Sequence, residues 1–202
     1  MKTLSIIITA FILFAAFTPA STGYSVGDKA MDFKLKNIDG KMVSLADYKT
    51  AKGFIVVFTC NHCPFAVAYQ DRIIALDKKY SKLGYPVIAI NSNDVTQVPA
   101  DDFENMQKRS KEKKFTFPYL LDATQEIATT YGATKTPHVF VLQKNDADLI
   151  VKYIGAIDDN SEDVKLVKEK YVENAVDALL AGKTVTVPFT KAIGCGIKWK
   201  QS

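Results

Sequence analysis

The chain has 202 residues, of which 26 are Lys or Arg and 22 are Asp or Glu, so its formal net charge is +4. This small balance argues against a nucleic-acid-binding protein, because such proteins carry a concentrated basic surface. The lysine-rich stretch 108–114 lies in a helical pattern and contains an acidic residue, which indicates a solvated helix face. The length is sufficient for one globular domain with a substantial core.

The N-terminus has the pattern of a secretory signal. Lys2 precedes an apolar stretch from Leu4 to Phe17, and Ala20 ends a group of small residues suited to cleavage. The stretch is shorter than the roughly 20 residues that a bilayer span requires. We therefore expect a signal peptide over 1–20, cleaved between 20 and 23, and a secreted, periplasmic protein with no membrane anchor in its mature form. Disulfides persist in such a compartment.

The mature chain predicts a domain over 24–182 and a C-terminal tail over 183–202. Asp39-Gly40 between two alternating segments predicts an N-terminal β-hairpin. The later patterns predict, in chain order, a buried strand 54–58, a helix from 64 to 84, a strand 86–90, a helix 101–113, an extended segment 119–121, a helix 123–131, a hairpin of 139–142 with 149–154, and a helix 161–180 capped by Ser161. This order predicts an α/β fold with a central mixed β-sheet flanked by helices.

Cys60-Asn61-His62-Cys63 joins the buried strand to the first helix. Cysteines with this spacing can cycle between dithiol and disulfide. We expect Cys60 to have a lowered pKa and to be the attacking sulfur, because a helix N-terminus stabilises a thiolate. Cys63, one turn further on, is then placed to resolve the mixed disulfide. A protonated His62 would stabilise the Cys60 thiolate further; the alternative is a surface histidine without a special task.

Cys195 is the third cysteine and lies between Gly194 and Gly196, beyond the last predicted helix. The flanking glycines indicate a tight turn or a close backbone approach, and Trp199 is suited to anchor the tail. The sequence leaves three interpretations open. Cys195 is an unreactive thiol, a resolving cysteine that reaches the Cys60–Cys63 site, or half of an intermolecular disulfide.

Several segments together resemble the thioredoxin-like superfamily. They are the strand that ends in the Cys-x-x-Cys pair, Thr136-Pro137-His138 before a strand, and the closing ββα pattern. Segments 26–33, 44–47 and 89–94, with the Asp-Gly hairpin, fit the redoxin branch, which contains the peroxiredoxins. The resemblance covers residues 25–181, and the chain looks most like peroxiredoxin-like secreted proteins that carry a Cys-x-x-Cys motif.

This resemblance implies a thioredoxin-like fold in which a cis-proline faces the cysteine pair. Pro137 matches that proline, which would leave the backbone of Thr136 free to pair with a substrate peptide in strand fashion. His138 follows immediately. Two interpretations remain for it, packing in the sheet and a role in the site.

The chain also departs from the family patterns. Thr59 replaces the Trp that precedes the first cysteine of typical thioredoxins, and Phe54 occupies the place of their buried acid. Asp94, after the next strand, is a substitute acid acting through water or simply a turn residue. Val57 and Gly53 stand where peroxiredoxins place Thr and Pro, so we do not expect efficient peroxidase activity.

Three functions follow from these residues. The leading hypothesis is a thiol-disulfide oxidoreductase that acts through Cys60 and Cys63, requires no cofactor, and has protein thiols or disulfides and a redox-recycling protein as partners. The second is a peroxiredoxin-like thiol peroxidase in which Cys60 attacks a hydroperoxide. The third is a copper(I)- or zinc-binding chaperone that uses the cysteines, including Cys195, with His62 or His138.

Overall fold

The computed structural model describes residues 23–201. The predicted signal peptide over 1–20 lies outside the described residues, so it stays a prediction. Within the described part of the chain, no helix is long and apolar enough to cross a membrane.

The described chain combines β-strands and α-helices. The strands are β1 Lys29–Ala30, β2 Lys34–Asn37, β3 Met42–Ser44, β4 Gly53–Phe58, β5 Val87–Asn91, β6 Tyr119–Leu121, β7 Lys135–Thr136, β8 His138–Asn145, β9 Asp148–Gly155 and β10 Cys195–Gly196. The α-helices are α1 Pro64–Tyr80, α2 Phe103–Lys113, α3 Glu126–Tyr131 and α4 Tyr171–Leu180. Eight strands form a mixed sheet in the order β1-β9-β8-β4-β5-β6-β2-β3, and β7 pairs with β10 in a separate two-stranded ladder.

Strand β4 lies in the interior of the sheet, parallel to β5 and antiparallel to β8. Its side chains alternate between two cores, since successive residues of a strand point to opposite faces. Ile55 and Val57 pack with the core that contains α1 and α4, whereas Phe54, Val56 and Phe58 pack with α3 and the N-terminal segment. A strand that is covered on both faces requires a continuous apolar run, so the predicted central position is confirmed.

The two predicted hairpins are present. β2 pairs antiparallel with β3, and Gly40 in the connecting turn has φ of 84°, a conformation that favours glycine. β8 pairs antiparallel with β9. The N-terminal hairpin extends the far edge of the sheet beyond β6.

The predicted helix over 161–180 is wrong in its first half, because α4 begins only at Tyr171. The Asn160 side chain accepts hydrogen bonds from the backbone N–H groups of Glu162 (3.0 Å) and Asp163 (2.9 Å). Asp163 then caps a single 3-10 turn, Val164–Leu166. Such local side-chain hydrogen bonds compete with helix formation, and Ser161 caps no helix.

Candidate active site

The Cys-x-x-Cys segment lies where β4 passes into α1, as predicted. Cys63 is the N-cap residue of α1, and Pro64 occupies the first helical position, where its missing N–H costs no hydrogen bond. Both cysteines are buried; Cys60 is 1% exposed and Cys63 is fully covered.

Cys63 forms a disulfide with Cys195, with a Cα–Cα distance of 6.1 Å, and Cys60 is a buried free thiol. Of the three interpretations of Cys195, the structure therefore shows the one in which the tail reaches the site. Cys195 lies in β10 and is partly buried against Cys60 and Cys63. The disulfide of this state thus joins the second and third cysteines and leaves the first one reduced.

Thr136 contacts both sulfurs of the Cys-x-x-Cys pair. The Cys60 thiol donates a hydrogen bond to Thr136 Oγ1 (3.4 Å), and Cys63 Sγ lies 3.3 Å from the Thr136 carbonyl oxygen. The Thr136–Pro137 bond is cis, as the resemblance implied. The site thus places one backbone segment against both sulfurs.

The expectation that the Thr136 backbone is free for a substrate is wrong for this state. Strand β10 pairs antiparallel with β7, with Cys195 opposite Thr136 and Gly196 opposite Lys135. The chain's own C-terminal tail therefore occupies the edge that was expected to receive a substrate peptide.

A buried carboxylate that sequence reasoning missed lies beside the pair. Asp101, which is fully buried, ends a 3-10 turn before α2. Its Oδ1 accepts hydrogen bonds from the backbone N–H groups of Asn61 (2.7 Å) and His62 (3.2 Å), and its Oδ2 accepts one from Asn93 Nδ2 (2.7 Å). Asp101 therefore fixes the backbone between the two cysteines. The sequence predicted a helix over 101–113, but α2 begins at Phe103 with Asp102 as its N-cap, so Asp101 lies outside the helix. An N-cap at Asp102 is the one sequence feature that could have shown this.

His62 extends this network towards Cys60. Its Nδ1 lies 2.6 Å from Asp101 Oδ2, and its side chain is 29% exposed. One ligating atom each of Cys60, His62 and Asp101 lies within 4.8 Å of the other two. His62 is therefore bound to a buried carboxylate beside Cys60, and its task in the reaction stays a prediction. The three cysteines do not form the metal site of the third hypothesis in this state, because Cys63 and Cys195 are bonded to each other.

The pKa of Cys60 is raised, and the expected lowering is wrong. Burial is the largest cause, and the Asp101 charge adds to it. The Thr136 hydroxyl and the N–H groups of Cys63 and His62 act in the opposite direction, as expected at a helix N-terminus, but they do not offset the burial. Near neutral pH, Cys60 is therefore mainly a thiol.

Thr59 lies beside Cys60, and Asp94 lies in a turn, as one of its two interpretations had it. Thr59 is buried and lines a cavity of about 10 Å³ together with Cys60 and Gln70. Thr59 Oγ1 and Gln70 Oε1 have no hydrogen-bond partner among the described residues. The Asp94 carboxylate accepts hydrogen bonds from Thr96 and Gln97, so Asp94 is a turn residue.

His138 begins β8 and packs in the sheet. Its ring lies 4.8 Å from that of Phe140, and its Nδ1 accepts a hydrogen bond from the Thr134 N–H (3.3 Å). Burial lowers the pKa of His138 to about 4, so the ring is neutral near pH 7. These contacts favour the packing interpretation.

A buried thiol, an adjacent disulfide and a cis-proline on a helix-flanked mixed sheet define a thioredoxin-like redox protein. A family model described as AhpC/TSA matches residues 26–172, and the chain belongs to this family. The predicted redoxin branch is confirmed, and the chain is an oxidoreductase.

Named relatives and solved structures agree with this assignment. "Thiol-disulfide oxidoreductase ResA" of Geobacillus thermodenitrificans is 26% identical over 138 residues, which cover 67% of this chain and 73% of that protein. An uncharacterized conserved protein from Geobacillus kaustophilus has a crystal structure that is similar with a TM-score of 0.81, at 39% identity over 88% of this chain and 94% of its own. A thiol:disulfide interchange protein of the thioredoxin family from Chlorobium tepidum has a TM-score of 0.52 at 21% identity, covering 65% of this chain and 87% of its own, and shows the shared fold.

Proposed function

We propose that the protein is a secreted thiol-disulfide oxidoreductase in which Cys60 attacks and Cys63 resolves. The observation that carries this proposal is the contact of both sulfurs with Thr136, directly before the cis-proline. This arrangement places both sulfurs against the same backbone segment. The name of the ResA relatives supports the same chemistry.

The reaction is an exchange of sulfur partners. The Cys60 thiolate attacks a protein disulfide, a bond forms between Cys60 and one substrate sulfur, and the other substrate sulfur leaves as a thiolate. Cys63 then attacks the Cys60 sulfur, so that the Cys60–Cys63 disulfide forms and the reduced substrate leaves. The cycle requires a free Cys63, so a recycling dithiol must first reduce Cys63–Cys195. With an oxidising partner, the same steps run in reverse.

The raised pKa of Cys60 assigns a task to His62. Because the thiol form prevails near neutral pH, attack must be coupled to removal of the Cys60 proton. A ring nitrogen of His62 lies within 4.8 Å of the Cys60 sulfur, a distance that one water molecule can bridge, and His62 contacts Asp101 through Nδ1. The imidazole accepts the proton from Cys60 and returns it to the leaving thiolate, while Asp101 positions the imidazole.

Export to the periplasm is part of the proposal. The signal pattern over 1–20 supports it, and so does the intramolecular disulfide, which persists in an oxidising compartment. The N-terminal sequence of the protein isolated from a periplasmic fraction tests this directly. A new N-terminus between residues 20 and 23 is expected, whereas an intact Met1 in the cytoplasmic fraction would contradict it.

Replacing Cys60 by serine should abolish disulfide reduction. We expect the rate of insulin reduction with a dithiol donor to fall by at least about a hundredfold, because the hydroxyl cannot form the mixed disulfide. Hydroperoxide consumption is measured on the same samples. Correct folding of the variant is checked by comparing its circular dichroism spectrum and its thermal unfolding with those of the wild type.

Two outcomes would overturn the proposal. Full insulin reduction by Cys60→Ser would remove Cys60 from the mechanism. Hydroperoxide consumption by the wild type, dependent on Cys60 and without insulin reduction, would instead assign a thiol peroxidase.

A further inference from the structure

The C-terminal tail holds Cys195 in place from its N-terminal side. Thr190 donates its backbone N–H to the Ile154 carbonyl (3.0 Å) and accepts the Ala156 N–H on its side-chain oxygen (2.9 Å). The Tyr153 hydroxyl lies 2.6 Å from the same oxygen. These contacts join the tail to the end of β9, five residues before Cys195.

A second set of contacts holds the tail after Cys195. Ile197 is buried, and its N–H donates to the Thr134 carbonyl (3.2 Å). Lys198 donates its N–H to Asn93 Oδ1 (2.9 Å), and its carbonyl accepts from Gln125 Nε2 (2.8 Å). Because none of these contacts involves the disulfide, the tail can keep Cys195 beside Cys63 when the bond is reduced.

The fit between the tail and the cis-proline segment is close. A Cβ at Gly194 would lie 2.6 Å from the Thr136 carbonyl carbon and closer still to its oxygen, so the segment requires glycine there. A Cβ at Gly196 would meet no atom within 4 Å among the described residues. Gly194 thus sets the distance between the strand that carries Cys195 and the site.

We propose that Cys195 is a third redox cysteine that displaces Cys60 from its disulfide with Cys63. This inference rests on the proposed function, since it adds a step after the Cys60–Cys63 disulfide has formed. The Cys195 thiolate attacks the Cys63 sulfur, the Cys63–Cys195 bond forms, and the Cys60–Cys63 bond breaks. Cys60 leaves as a thiolate and takes up the proton that Cys195 lost. The step conserves electrons, so it requires no further oxidant.

The step separates the two ends of the redox cycle. Cys60 and Cys63 are buried, whereas Cys195 is the partly exposed member of the three. A recycling dithiol therefore attacks the Cys195 sulfur, and Cys63 leaves as the thiolate. Reducing equivalents therefore enter at the partly exposed sulfur of the three, while Cys60 remains the sulfur that the proposed function assigns to the substrate.

The order of disulfide formation tests this inference. Fully reduced protein is mixed with oxidised glutathione, quenched with acid at successive times, alkylated and mapped by peptide mass spectrometry. We expect Cys60–Cys63 to appear first and to convert to Cys63–Cys195 at a rate independent of protein concentration. The Cys195→Ser variant should stop at Cys60–Cys63.

The outcomes separate the two proposals. A wild-type product that stays at Cys60–Cys63 would overturn the third-cysteine step and leave the proposed function standing. Formation of Cys63–Cys195 with equal speed in the Cys60→Ser variant would also overturn this step, because oxidation would then not pass through Cys60. Full insulin reduction by the same variant would overturn the proposed function as well.

Two glycine variants test whether the tail positions Cys195. Gly194→Ala should slow the second step at least about tenfold and leave the first step unchanged, because the added methyl group pushes β10 away from Thr136 while all three thiols remain. Gly196→Ala is the matched control and should behave like the wild type. Equal second-step rates in both variants would contradict a positioning role for this strand.

Discussion

Replacing Asp101 by asparagine should lower the pKa of Cys60 and increase its thiolate fraction at neutral pH. Asp101 is fully buried, and its charge raises the pKa of Cys60. Asparagine keeps an acceptor for the N–H groups of Asn61 and His62 but removes the charge. We expect the pKa of Cys60 to shift downward, with a larger thiolate fraction at neutral pH, because the Asp101 charge is one of the causes that raise it.

The thiolate absorbance at 240 nm measures this shift without interference from other cysteines. The chain has three cysteines, and Cys63 and Cys195 are in a disulfide, so only Cys60 titrates as a thiol. A Cys60→Ser sample provides the baseline for tyrosine ionisation. Asp94→Asn is the matched control, because the Asp94 carboxylate accepts hydrogen bonds from Thr96 and Gln97 of its own turn, and we expect no shift in the pKa of Cys60.

An unchanged or raised Cys60 pKa in Asp101→Asn would contradict this electrostatic account. It would mean that Asp101 acts mainly by positioning His62 and the backbone N–H groups of Asn61 and His62 rather than through its charge. A proton-accepting role for His62 further predicts that His62→Gln reduces insulin more slowly than the wild type at neutral pH.

The second large effect concerns stability in acid. Burial holds the pKa of His138 at about 4, against an ordinary value of 6.5. Between these two values the unfolded chain binds a proton at this residue and the folded chain does not. The free energy of unfolding therefore decreases as the pH falls from about 6.5 to 4, by up to about 3 kcal/mol from this one group.

Urea unfolding at several pH values between 7 and 4 measures this contribution. His138→Asn keeps an acceptor for the Thr134 N–H but does not titrate, so its unfolding free energy should depend less on pH in this range. His62→Gln replaces the only other histidine and leaves His138 in place, so its free energy of unfolding should still decrease as the pH falls from about 6.5 to 4. Identical pH profiles for the wild type and His138→Asn would show that His138 does not cause the loss.

Local patterns predicted most of the fold. β4 was recognised because a strand buried on both faces requires an uninterrupted apolar run, and the N-terminal hairpin because Asp39-Gly40 separates two alternating segments. The prediction of a helix over 161–180 was wrong in its first half for an equally local reason. Asn160 and Asp163 bind backbone N–H groups in turns, and these contacts outweigh the helical spacing of the apolar residues around them.

The candidate site was predicted less completely, because its decisive contacts join distant parts of the chain. Asp101 reaches Asn61 across 40 residues, and Cys63 reaches Cys195 across 132. Helix position alone predicted a lowered pKa for Cys60, but burial depends on tertiary packing and reversed the sign. The occupation of the Thr136 edge by β10 is likewise a tertiary contact.

Trapping the mixed disulfide tests the central claim most directly. A Cys63→Ser variant lacks the resolving sulfur, so its reaction with a protein disulfide should stop at a covalent complex. Peptide mapping of that complex should find the substrate on Cys60. Substrate found on Cys195 with Cys60 still alkylatable would contradict the proposed attack by Cys60.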